Sequence, residues 1–380
     1  MPEYRQYELG SVCARLSSGK GIPASQVFNE GAFPVYGGNG LRGYTDHSNF
    51  RGDCAIIGRQ GAFCGNVRYF NGEAYMTEHA VVVCADECHN TRYLAYLLSQ
   101  MNLGRLSGQS AQPGLSVKTL AKQVIELPPL DVQNKVVAVL SSLDSKIALN
   151  EKINDNLEQQ LRTIFKAEFT DNPELENITQ IPLSELCHVV TKGTTPTTLG
   201  KPFVESGINF IKAESILDDH SIDKSKFAFI DEETNALLKR SIIHAGDVVF
   251  TIAGTLGRFA LIDENVLPAN TNQAVAIIRA DVEKVLPEYI YTCFIGEWHT
   301  DYYAKRVQQA VQANLSLTTI KSLPIPLLDE AKMSEYLSLI LPLIKAIKTN
   351  ETQNEKLAAS RDILLPKLMS GEIDVSAVQL

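Results

Sequence analysis

Leu143–Ile164 reads LDSKIALNEKINDNLEQQLRTI. Leu143, Ile147, Asn150, Asn154, Leu157, Leu161 and Ile164 follow one another at spacings 4-3-4-3-4-3, with no Gly or Pro between them. That is the a/d period of a coiled-coil helix, held for more than three heptads. Further on, LIKAIKTNETQNEKLAASRDIL (Leu343–Leu364) repeats the spacing with Leu343, Ile347, Asn350, Asn354, Leu357, Arg361 and Leu364. The asparagines occupy matching places. A buried Asn in an apolar seam sets register at some cost in stability, so the match predicts that the two helices pair with each other. Pro342, near the start of the second seam, is expected to kink or delay that helix.

The blocks around the helices repeat as well. ELGSVCARLSSGKG (Glu8–Gly21) resembles PLSELCHVVTKGTT (Pro182–Thr195) at an offset of 174, with Cys13 over Cys187 and Gly19 over Gly193. Asp53 falls over Asp247 at 194, and Tyr93-Leu94 over Tyr289-Ile290 at 196. GLSVKTL (Gly114–Leu120) lies on NLSLTTI (Asn314–Ile320) at 200, the offset that also relates Asn150-Glu151 to Asn350-Glu351. The order is kept while the offset only grows, which chance similarity does not do. Most of the growth falls between Pro196 and Gly246, an insertion in the second copy. Each copy opens with short apolar strands among Gly-rich turns: Cys54–Gly58 and Ala80–Ala85, then Val248–Ala253 and Ala274–Arg279. A helix follows at Thr91–Met101 in one copy and Glu288–Val307 in the other. The expected fold class is α/β: two α/β domains separated by two long helices that pair as an antiparallel coiled coil, in a pseudo-two-fold repeat.

The chain of 380 residues, 44% apolar and 21% charged, is long enough for two or three cores. Lys+Arg 35 against Asp+Glu 44 leaves a net charge of -9. That balance excludes indiscriminate coating of nucleic acid but not local basic surfaces. No apolar run reaches the ~18 residues of a membrane span. MPEYRQYELGSV lacks the order of a secretory signal, and the 7 cysteines do not read as a disulfide framework. A cytoplasmic location is expected.

Catalytic signatures are missing. No G-x-x-x-x-G-K-[ST], no H-E-x-x-H and no [DNS]-P-P-[YFW] appears, the last being the tetrapeptide with which amino-methyltransferases hold a flipped base. Gly38–Gly43 matches G-x-G-x-x-G, but turn-like residues follow where a helix is required, so it fails as a dinucleotide site. Cys84, Cys88 and His89, with Cys54 and Cys64 upstream, have a zinc-like look. Cys84 ends an apolar strand, however, and the second copy has Ile278 near that place, so no metal is expected.

What remains is a set of glycine-supported polar loops in both copies. The first carries Tyr36, Asn39, Arg42, Tyr44, Arg59, Gln60, Asn66, Arg68 and His79, followed by Gln109 and Gln112. The second carries Lys192, Thr194, Thr195, Lys212, Thr255, Arg258, Asn272 and Gln273, followed by Gln309 and Gln312. Arg59 and Arg258 stand beside glycine turns in equivalent places. Arg reads guanine, Asn and Gln read adenine, Thr packs on the thymine methyl, and backbone amides take phosphate. These residues are the candidate DNA contacts, with solvated loop tips as the bland alternative for each.

FPVYGGNGLRGY (Phe33–Tyr44), GLSVKTLAKQVIELPPLDVQNKVVAVLSSLDSKIALNEKIN (Gly114–Asn154) and LLPKLMSGEID (Leu364–Asp374) together resemble the specificity subunit of type I restriction–modification enzymes. The resemblance covers nearly the whole chain. It implies a first target-recognition domain at 1–130, a spacer helix at 131–170, a second recognition domain at 171–328, a second spacer helix at 329–370 and a tail at 371–380. One departure is Ala331, where the family pattern has a glutamine, as Gln133 provides in the first copy. The resemblance implies a non-catalytic subunit that reads a bipartite double-stranded DNA target and holds two methyltransferase subunits on it, joined by two motor-nuclease (restriction) subunits. S-adenosylmethionine would belong to the methyltransferase partner, ATP and Mg to the restriction partner, and no cofactor to this chain. A helix of ~35 residues spans about 50 Å, enough for a molecular ruler between half-sites. The rival readings are the recognition half of a split nuclease or methyltransferase, which needs a catalytic motif, and a coiled-coil scaffold without DNA contact, which leaves the paired loops unexplained.

Overall fold

The computed structural model describes residues 3–107, 114–172, 178–300, 302–303, 314–375 and 378. It divides into two compact units, one running through Lys146 and resuming at Lys356, the other Ile147–Glu355. The first unit contains β1 (Arg5–Glu8), β2 (Cys13–Ser18), β3 (Phe33–Gly37), β4 (Gly40–Thr45), β5 (Phe50–Gly58), β6 (Val67–Met76), β7 (Ala80–Ala85), α1 (Thr91–Ser99), α2 (Val117–Ala121), β8 (Val124–Leu127) and the start of α3 (Leu130–Phe165). Its main sheet runs β2-β7-β5-β6-β3-β4, and β1 pairs with β8 apart from it. Successive side chains of a strand point to opposite faces, and the central strands bury both. Ala55, Ile57, Val81 and Val83 pack with Tyr93, Leu94 and Leu98 of α1, while Cys54, Ile56 and Val82 join Phe50 and Met76 on the other face.

The second unit holds the rest of α3, then β9 (Gln180–Pro182), β10 (Cys187–Lys192), β11 (Ile208–Ile211), β12 (Ala228–Ile230), α4 (Glu232–Leu237), β13 (Val248–Thr251), β14 (Phe259–Leu261), β15 (Ala269–Thr271), β16 (Val275–Ala280), α5 (Pro287–Ile295), α6 (Leu317–Lys321), β17 (Pro324–Pro326) and most of α7 (Glu330–Met369). The sheet order β10-β16-β13-β14 reproduces β2-β7-β5-β6. The separate trio β12-β11-β15 reproduces β4, β3 and the end of β6, with the same parallel pairing in the middle. The insertion is now located. Gly38-Asn39 alone joins β3 to β4, whereas residues 212–227 join β11 to β12 and α4 follows.

Small details repeat with the sequence. The bulge between Cys13 and Arg15 in β2 recurs between Cys187 and Val189 in β10. Ser116 caps α2 by accepting from Thr119 N at 3.0 Å, and Ser316 caps α6 by accepting from Thr319 N at 3.0 Å. A Cβ on Gly19 would lie 2.1 Å from Met76 O, and one on Gly193 1.8 Å from Thr271 O, so only glycine lets these backbones meet. Gln133, 1% exposed, accepts from Asn90 N at 2.9 Å and donates to Pro128 O at 2.9 Å, tying the cap of α1 to the start of α3. Where Ala331 stands instead, the corresponding helix α5 has Leu286 at its cap, with no side-chain cap hydrogen bond, and Pro287 next.

The two long helices pair antiparallel. Asn150 Nδ2 donates to Asn354 Oδ1 at 2.7 Å and to Gln353 Oε1 at 2.8 Å, and Asn350 Nδ2 donates to Asn154 Oδ1 at 2.8 Å. Leu161 and Ile347 are buried, and Leu143, Ile147, Leu157, Leu343, Leu357 and Leu364 are half-buried along the same seam. Arg361, at a seam position, reaches Asp144 at 3.2 Å. Pro342 does not delay α7, which starts at Glu330 and continues to Met369. Its ring is exposed, so the lost backbone bond faces water, while Tyr336, Ile340 and Ile344 bury the opposite side. The expected helix, roughly Glu288–Val307, is interrupted: α5 stops at Ile295, Thr300, Tyr302 and Tyr303 are helical again, and 304–307 lie outside the described residues. Gly296 admits Phe165, whose Cδ1 would lie 2.0 Å from a Cβ there, and Glu297 turns into the left-handed region at φ 59.

Each helix starts in one core and ends in the other. In α3, Val136 and Leu140 belong to the first core, while Leu161 and Phe165, with Phe169 in the π-turn that follows, belong to the second. In α7, Tyr336 and Ile340 belong to the second core, and Leu365, Leu368 and Met369 complete the first.

Candidate nucleic-acid interface

In the first unit the predicted loops gather around the β3–β4 hairpin. Its glycines clear space for arginine: a Cβ on Gly37 would lie 2.7 Å from Arg42 Cδ, and one on Gly40 2.7 Å from Arg68 Nη1. Gly38 abuts the Arg59 and His79 backbones, with His79 O 3.0 Å from its notional Cβ. Arg59 N donates to His79 O at 2.9 Å, and Arg59 O accepts from Leu115 N at 2.8 Å. Gln60 bridges Gly114, just past Gln109 and Gln112, which lie outside the described residues. Asn39, Arg42, Gln60, Asn66 and Arg68 are exposed, while Tyr36, Tyr44, Arg59 and His79 are half-buried. The Tyr36 ring packs on Phe70 at 5.0 Å, and burial followed by the neighbouring Tyr44 raises its hydroxyl above the usual tyrosine value.

Charge separates these arginines from the rest of an acidic chain. Among the described residues, Arg42, Arg59 and Arg68 make no ion pair. Arg59 Nη1 has only long contacts, at 3.5 Å, with Ser18 Oγ and Glu78 O. Three guanidinium groups thus stand uncompensated around one hairpin. His79 Nε2 lies 3.2 Å from Glu78 Oε1, so that imidazole already has a local partner.

The second unit is arranged differently. Lys192 makes no ion pair among the described residues, and the Arg240 Nη2 lies 3.5 Å from its carbonyl. Thr195 donates from N at 3.2 Å and from Oγ1 at 2.5 Å to Gln273 Oε1, while Asn272 Oδ1 accepts from Ala274 N at 3.0 Å. Thr194 is half-buried beside them. Lys212 pairs with Glu214 at 2.8 Å, and that bond holds the Glu214 carboxyl below its ordinary value. Thr255 Oγ1 reaches Ala213 O at 3.5 Å. Gln309 and Gln312 lie outside the described residues.

Arg258 is not the counterpart of Arg59 that the repeat suggested. Its Nε and Nη2 grip the Asp218 carboxylate at 2.6 Å each, and Nη1 donates to Ile216 O at 3.2 Å. Asp218 comes from the 212–227 connection, which the first unit lacks. A bidentate pair fixes the guanidinium and neutralises it. Arg240, by contrast, carried no sequence signal, because it lies after α4 in the stretch between Pro196 and Gly246 that matches nothing in the first copy.

Two related α/β units, each presenting polar loops on a repeated framework and sharing two helices, define a duplicated recognition protein. The family described as type I restriction modification DNA specificity domain matches residues 1–159 and again 176–359, and the chain belongs to that family. Its relatives include the specificity subunit of type I restriction enzyme EcoprrI from Escherichia coli, 35% identical over 147 residues. That match spans 38% of this chain and 36% of the relative's length. The specificity subunit of type I restriction enzyme MjaIX from Methanocaldococcus jannaschii is 26% identical over 310 residues, 75% of this chain and 69% of that one. Among solved structures, the type I restriction–modification S subunit from M. genitalium superposes with a TM-score of 0.59 at 15% identity, covering 97% of this chain and 96% of that one. It shares the fold. No helix among the described residues is long and apolar enough to cross a membrane.

Proposed function

We propose that this chain reads a bipartite double-stranded DNA sequence, one half-site per unit, and positions methyltransferase and restriction subunits on it without performing catalysis itself. The observation that carries the reading is the uncompensated set Arg42, Arg59 and Arg68 around the β3–β4 hairpin. In a chain of net charge -9, leaving three neighbouring guanidinium groups without carboxylates suits phosphate and base-edge acceptors. Tyr36, Asn39, Tyr44, Gln60, Asn66 and His79 supply further contacts in the first unit, with Gln109 and Gln112 in the loop beyond. Lys192, Thr194, Thr195, Lys212, Thr255, Asn272 and Gln273, with Gln309 and Gln312, do so in the second. Arg258 contributes less, since binding DNA would first cost its pair with Asp218. S-adenosylmethionine is bound by the methyltransferase partner, ATP and Mg by the restriction partner.

The test is DNA binding by the chain assembled with its methyltransferase subunits, titrated against salt. Arg68→Ala is expected to cost about 1–3 kcal/mol at the specific site and relax one base position, if it reads a base edge. If it meets phosphate, all sequences weaken together and the salt slope falls by about one. Arg258→Ala should change affinity by much less. Unchanged affinity and slope for Arg42→Ala, Arg59→Ala and Arg68→Ala alike would overturn the reading. Tight S-adenosylmethionine binding to the chain alone, seen by calorimetry, would overturn the non-catalytic assignment.

A further inference from the structure

A cavity of about 250 Å³ lies wholly within the second unit, between the α3 and α7 segments, the 219–224 loop and the 261–266 turn. Seven carboxylates line it against two lysines. Both lysines are already engaged, Lys348 with Glu351 at 2.9 Å and Lys224 with Glu355 at 2.8 Å. Arg162 holds Glu158 at 2.8 Å. Among the described residues, Glu151, Asp155, Asp219 and Asp263 have no basic partner. Such an array of like charge is destabilising unless something answers it.

Acidic side chains alone would not make a site, but a second observation points into the same space. Tyr291, 3% exposed, lines the cavity, and among the described residues its hydroxyl has no hydrogen-bond partner. Beside the cavity, His220, 7% exposed, has both ring nitrogens unpartnered, and its Nε2 stands 3.7 Å from Glu158 Oε1. The carboxylates are acceptors only and the tyrosine oxygen can accept as well, while the Asn154 and Asn354 oxygens are already taken by Asn350 and Asn150. A buried acceptor without a donor is costly, so the missing group is a donor with positive charge. The carboxylates are dispersed along the walls, and no three His, Cys, Asp or Glu groups among the described residues converge with metal-ligand geometry. An elongated organic cation bearing several ammonium groups satisfies such scattered acceptors, whereas a divalent ion needs them converged.

We propose that this cavity binds a linear polyamine-type cation, distinct from the DNA-reading loops, which holds together the helix pair and the recognition module of the second unit.

The test uses purified full-length chain and spermidine as the probe, with Mg²⁺ as the competing arm, read by calorimetry and by melting temperature. Asp219→Asn/Asp263→Asn removes two negative charges while the amide oxygens still accept from Ser221 N and Asn265 N. Tyr291→Phe removes only the hydroxyl. Saturable spermidine binding that raises the melting temperature, weakened about tenfold or more in the double variant and measurably in Tyr291→Phe, is the expected result. Equal stabilisation of wild type and variants would mean general screening and overturn the proposal. So would saturable binding of Mg²⁺ with no response to spermidine, or no saturable binding of either.

Discussion

The asparagine pair at the centre of the helix seam allows a quantitative test. Asn150 is 0% exposed and spends both Nδ2 protons on Gln353 and Asn354, while its own Oδ1 has no partner. Replacing it with Leu removes two hydrogen bonds and strands the half-buried Asn354 Oδ1, whereas the exposed Gln353 recovers water. The expected cost is about 1–3 kcal/mol, set mainly by the stranded acceptor. Replacing both partners, Asn150→Leu with Asn354→Leu, removes the stranded group and adds apolar contact, so most of that loss should return. The Asn154–Asn350 bond remains to hold register. The chain's single tryptophan provides the probe. Trp298 lies in the second unit with its ring 6.1 Å from Phe165, at the end of α3. Its fluorescence during urea unfolding therefore reports the unit in which the pair sits. A single substitution without cost, or a double variant that loses the sum of both singles, would refute the assignment of this bond as a register lock.

Three further outcomes are expected. Gly193→Ala should cost at least about 2 kcal/mol in the same unfolding assay, because its Cβ would sit 1.8 Å from Thr271 O. Gly21→Ala, whose nearest neighbour is Glu78 Oε2 at 3.8 Å, should stay within about 0.5 kcal/mol. His299 is buried among aromatic rings and depressed to about 4, first by burial and then by His220. A depressed folded value means its stabilising contribution is full above the unfolded value of about 6.5 and is lost as pH falls toward 4, by up to ~3 kcal/mol. His299→Phe should therefore flatten the acid limb of the stability–pH curve, and an unchanged limb would contradict the burial argument. Finally, the piece 1–170 should form a homodimer by light scattering, since Asn154 stands where Asn354 does at the 200-residue offset and a second copy can offer it to Asn150. A stable monomer would count against the seam.

The seam was legible because it is written twice: the asparagines match across 200 residues, and a period of 3.5 survives without any tertiary information. The strands were legible for the same reason, as short apolar blocks recurring in fixed order. What lay between the blocks was not. Asp218 pairs with Arg258 from a connection with no periodicity and no counterpart, so nothing in the sequence placed it beside that guanidinium. The end of α5 was missed because Gly296 and Phe165, which decide it, are far apart in sequence and meet only in the folded core. Helix propensity alone also misjudged Pro342, since burial of the opposite face of α7 outweighs one lost backbone bond.

The exchange of helix ends has a consequence for synthesis. Leu365, Leu368 and Met369 close the first core, yet the whole of Ile147–Glu355 is translated before them. At roughly 5–20 residues per second, the patch on Val136, Leu140 and their neighbours waits about 10–40 s on the ribosome for its cover. The second core has no such delay, because Leu161 and Phe165 are already made when its strands emerge. The half that is made first is therefore finished last, and its apolar patch is the one left uncovered for longest during translation.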